Sequence, residues 1–65
     1  MNLTDLHQQH EAIRERLRNL NDEMQALKRA GRHDAARRVL NDLLSLKKTK
    51  KRVKREIRAH REATQ

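Results

Sequence analysis

The apolar residues of this chain keep a strict spacing of three and four, and the phase of that spacing changes once, at Gly31. Before the glycine the series is Leu3, Leu6, His10, Ile13, Leu17, Leu20, Met24 and Leu27, a heptad seam with one polar member. Carried past Gly31 in the same phase, it would put Asp34, Arg38 and Asn41 in the seam and leave Val39 and Leu43 outside it. A second unbroken series instead begins beyond the glycine: Ala36, Val39, Leu43, Leu46, Lys50, Val53, Ile57 and His60. One long helix would bury charge and expose leucine. Two helices folded back on each other bury both series.

The two series match layer by layer when run antiparallel. Leu27 meets Ala36, Met24 meets Val39, Leu20 meets Leu43, and Leu17 meets Leu46. Ile13 then meets Lys50, His10 meets Val53, Leu6 meets Ile57, and Leu3 meets His60. The expected fold is all-α: an antiparallel two-helix hairpin of coiled-coil type, forming a single domain. Helix one is expected over about 3–30, the turn at 31–34 and helix two over about 35–62. Asn2 or Thr4 suits the first N-cap, Gly31 the left-handed position past a helix end, and Asp34 the second N-cap. Three of the four layers at the open end contain a polar residue, so that half is expected to be looser than the half near the turn.

The string around the turn resembles the helix–turn–helix junction of a tetratricopeptide repeat, with Gly31, Asp34 and Ala36 in place. The chain has one copy and no aromatic residue, so the likeness is one of hairpin chemistry and not of family. In architecture alone the expected hairpin also resembles the two-helix protein of the large ribosomal subunit and the dimeric hairpin that modulates a plasmid antisense RNA.

A chain of 65 residues with no cysteine and no aromatic side chain has little with which to build a core. Leu40 and Leu44 lie outside the seam, on the side of helix two that Lys51, Arg55 and Arg58 occupy further along. With Ala36 they form a candidate interface near the turn. The expectation is a homodimer, two hairpins joined at their turn halves into a four-helix assembly.

Charge divides the two helices. On helix one Arg14, Arg16, Arg18, Lys28 and Arg29 balance Asp5, Glu11, Glu15, Asp22 and Glu23, so the formal charge of +8 belongs to the remainder of the chain. The stretch from Lys47 to Arg61 holds nine of the 17 lysines and arginines and one acid, Glu56. On a helix these cations fan over an arc of roughly 200°, leaving a thin apolar seam. Cations crowded this closely repel one another, and an anionic partner relieves the repulsion. Lys47, Lys48, Lys51, Arg52, Lys54, Arg55, Arg58 and Arg61 are therefore the candidate contacts to nucleic-acid phosphates. Without aromatic rings for base stacking, the contact expected is with the backbone, DNA or RNA.

The alternative expectation is a small regulator of the kind phages and mobile elements carry, which binds and inhibits a host protein through the apolar patch near the turn. No catalytic constellation is legible: there is one serine, no cysteine and no glycine-rich phosphate loop, and an enzyme is not expected. His7, His10 and Glu11 have the spacing of helical metal ligands but no evident supporting shell, so neither metal nor cofactor is expected. The N-terminal residues carry no basic start followed by an apolar run, and no stretch has the ~20 apolar residues of a membrane span. The location expected is the cytoplasm.

Overall fold

The computed structural model describes residues 2–63, which form two α-helices and, among the described residues, no strand. Helix α1 spans Leu3–Arg29 and helix α2 spans His33–Ala63, and they pack along their length as a hairpin about 51 × 15 × 14 Å. Asn2 caps α1, its side-chain oxygen accepting from the Asp5 backbone N–H at 2.8 Å. This satisfies one of the donors that every helix start leaves open. Asp5 adds a negative charge to the first turn, and Lys28 and Arg29 add positive charges to the last, each sign matched to the helix dipole.

The turn is a Schellman motif. The Gly31 N–H donates to the Lys28 carbonyl at 3.0 Å and the Arg32 N–H to the Leu27 carbonyl at 2.9 Å. Gly31 takes φ +76°, a conformation that costs a residue with a Cβ about 1–2 kcal/mol. An added Cβ would meet nothing within 4 Å, so the need for glycine here is one of backbone conformation and not of space.

Helix α2 begins at His33, earlier than the spacing suggests, and Asp34 is not its N-cap. The Arg32 carbonyl accepts the Ala36 N–H at 3.0 Å, which leaves Asp34 inside the first turn as a favourable acid at the positive end of the helix. Arg32 both closes the Schellman motif and starts the next helix, so the connection is shorter than four residues.

Every position of both apolar series is buried or half-buried. The core falls into two clusters. Leu20, Met24, Ala36, Val39 and Leu43 form the one near the turn, with Leu17, Leu27 and Leu46 packed against it. Leu6, Val53 and Ile57 form the one near the open end, with Leu3 and Ile13 against it. The memberships follow the expected antiparallel register. The cluster at the open half is the smaller, three buried residues against five near the turn. Leu6 at 1 % and Val53 at 2 % exposure are the most deeply buried residues of the core. His10, Lys50 and His60 sit half-buried around them, and long polar side chains cover apolar neighbours with their stems.

Candidate nucleic-acid interface

Lys47, Lys48, Lys51, Arg52, Lys54, Arg55, Arg58 and Arg61 are all exposed on α2. The seam requires this: with Val53 and Ile57 facing α1, a period of 3.6 turns these eight positions outward. Over 15 residues at ~1.5 Å each, the cationic stretch runs ~20 Å along a single rigid element. Among the described residues, Lys47, Lys48, Lys51, Arg52, Lys54, Arg55 and Arg58 form no ion pair within 4.0 Å. An ion pair forms on α1, Arg14 to Glu11 at 3.1 Å, between exposed groups. A pair of that kind contributes only ~0.2–0.5 kcal/mol. Thus no acid among the described residues pairs these seven side chains.

Leu40 and Leu44 stand 37 % and 48 % exposed, the exposed large hydrophobic side chains of the described chain. Beside Leu40, the residues Met24, Lys28, His33, Ala36 and Arg37 line a shallow cavity with it. Ala36 itself is no interface residue. It is 3 % exposed and packed within the hairpin's own core, where its small side chain lets the helices approach beside the turn.

At the open end a groove of about 380 Å³ runs between the helices, lined by His7 and His10 from α1 and by Lys54, Ile57, Arg58 and Arg61 from α2. The lining comes from two stretches, 7–10 and 54–61, which lie far apart in the chain and are brought together by the pairing of the helices. The His10 Nε2 is enclosed with no hydrogen-bond partner among the described residues. Burial lowers the His10 pKa below its ordinary 6.5, and the positive charges of Lys50, Lys54 and Arg14 lower it further against the opposing pull of Glu11. A histidine whose folded pKa lies below its unfolded value favours the folded state while neutral. Its contribution is complete above about pH 6.5 and is lost as pH falls from there through the depressed folded pKa. The free energy of unfolding should therefore be lower at pH 5 than at pH 8, as measured by urea titration of helical circular dichroism. The difference should shrink in His10→Leu; an unchanged difference would place the cause in other groups.

Among the described residues no three His, Asp or Glu side chains gather as a metal site, and no helix is long and apolar enough to cross a membrane. Comparison with protein-family models, with curated proteins and with solved structures yields no match.

Proposed function

We propose that this hairpin binds nucleic acid through the phosphate backbone, using the outer face of α2. The observation that carries the reading is the row of exposed cations from Lys47 to Arg58 that no acid of the described chain pairs. Phosphates spaced along a nucleic-acid strand supply the counter-charges that the protein lacks, and binding releases their condensed cations. The helix is narrow enough to lie in a groove or across a backbone. Contacts of this kind position a protein without reading bases, so affinity is expected to vary little with sequence. The test is fluorescence anisotropy of a labelled duplex against salt. If about five phosphates are neutralised, log affinity falls against log salt with a slope of about −4 to −5. A slope near zero removes the proposal.

The working unit proposed is a homodimer joined through Leu40 and Leu44. Its support is that two apolar side chains stay exposed on a chain whose own core is small. A second copy supplies the missing apolar surface and places two cationic faces in one four-helix assembly. Leu40→Glu and Leu44→Glu should each halve the mass found by light scattering at ~100 µM while leaving helicity intact, because an introduced charge at such a contact loses its water without gaining a partner. A wild-type monomer with full helicity at that concentration would end the dimer proposal. The same exposed pair favours a second reading, in which the patch docks a host protein and the hairpin inhibits it. A single protein that co-purifies stoichiometrically after nuclease treatment, survives high salt and is lost in Leu40→Glu would decide for that reading.

A further inference from the structure

The groove at the open end differs from the rest of the cationic face in shape. Lys47, Lys48, Lys51 and Arg52 project from the convex side of one helix. Lys54, Arg58 and Arg61 instead share a concavity with His7 and His10 of the other helix. A phosphodiester inside a strand carries one negative charge and continues on both sides, so it suits a convex row of cations. A terminal phosphomonoester carries about −1.5 to −2 charges on three oxygens and has a free end, so it can enter a concavity. A further observation points the same way. The apolar wall that Ile57 provides lowers the local dielectric, which strengthens attraction between the cations and an anion.

We infer that the groove between His7, His10, Lys54, Arg58 and Arg61 is a pocket for the terminal phosphate of a nucleic-acid strand. This inference rests on the nucleic-acid reading and adds to it a preference for phosphorylated ends. The terminal group occupies the groove while the adjoining backbone lies along α2 toward Lys51 and Lys47. Both walls of the groove are already set by the pairing of α1 with α2.

The experiment compares two short blunt duplexes of one sequence, one ending in 5′-phosphate and the other in 5′-hydroxyl. Anisotropy is measured at one salt concentration with the full chain. The phosphorylated duplex should bind about tenfold more tightly, equivalent to about 1.4 kcal/mol. In Lys54→Gln/Arg61→Gln the ratio of the two affinities should fall toward one. Lys48→Gln/Lys51→Gln removes the same charge outside the groove; it should weaken both duplexes and preserve the ratio. Equal binding of the two duplexes to the unaltered chain overturns the pocket and leaves backbone binding standing. Failure of both duplexes to bind overturns the two readings together. Inorganic phosphate that competes as well as the phosphorylated end would assign the groove to the free ion and overturn the inference as stated.

Discussion

Replacing Lys51, Arg55 and Arg58 together by glutamate should abolish nucleic-acid binding while leaving the hairpin folded. Each exchange changes the charge by two, so the three take the formal net charge from +8 to +2. All three side chains are exposed, and none forms an ion pair among the described residues. Their loss therefore removes no packing and orphans no acid. A unit pair at 4 Å in water is worth ~1 kcal/mol, so three lost attractions alone weaken binding by on the order of 100-fold. The repulsion of three new carboxylates adds to this. The salt slope should also flatten by about 2.7, which is three contacts at ~0.9 each. Anisotropy and circular dichroism on one preparation check both halves of the expectation. Unaltered affinity would show that α2 is not the binding face. Loss of helix would show that these residues are structural.

Leu6→Ala should be the most damaging single truncation at the open end, at about 2–5 kcal/mol. Leu6 is 1 % exposed and is the helix-one centre of the cluster with Val53 and Ile57. Only partly buried Leu3 and Ile13 from its own helix flank it, so the space left by the side chain has little to fill it. Small domains have ~5 kcal/mol of stability at the low end, and the loss is a large share of that. Urea titration at fixed chain concentration reads the stability, and amide exchange over 3–13 reads where the opening occurs. A loss below about 1 kcal/mol would mean that the open half contributes little to the fold.

The hairpin was legible because the apolar spacing is a geometric instruction. Sixteen seam positions in two phases admit one antiparallel register, and all of them are buried or half-buried. The start of α2 was less legible. Asp34 has the chemistry of an N-cap, but the Schellman motif spends Gly31 and Arg32 so economically that the helix has already begun at His33. Arg32 gives no side-chain signal for that role. Ala36 is ambiguous in the sequence because alanine is small enough to belong to a surface patch or a tight helix contact, and its placement beside Val39 and Leu43 decides. The basic residues of α2 were legible as a face from composition and period alone. The groove was not, because it depends on which flank of α1 meets which flank of α2. His7 beside the first series and His10 within it, with Lys54 and Arg61 flanking the second, were the available signal.

The register has a consequence for the order in which the chain assembles. Leu27 and Ala36 are separated by a few residues, while Leu3 and His60 are separated by nearly the whole chain. Each successive layer closes a longer loop, but once its neighbour is in place it needs only the few residues of one more turn on each helix to be fixed. On loop-closure grounds the hairpin zips from Gly31 outward, and the His7–Arg61 end closes last. A ligand that touches both helices there acts as a clasp on the final layer. Its binding free energy appears as added protection of Leu3 through Ile13 and of Lys50 through His60, far from the turn where folding begins.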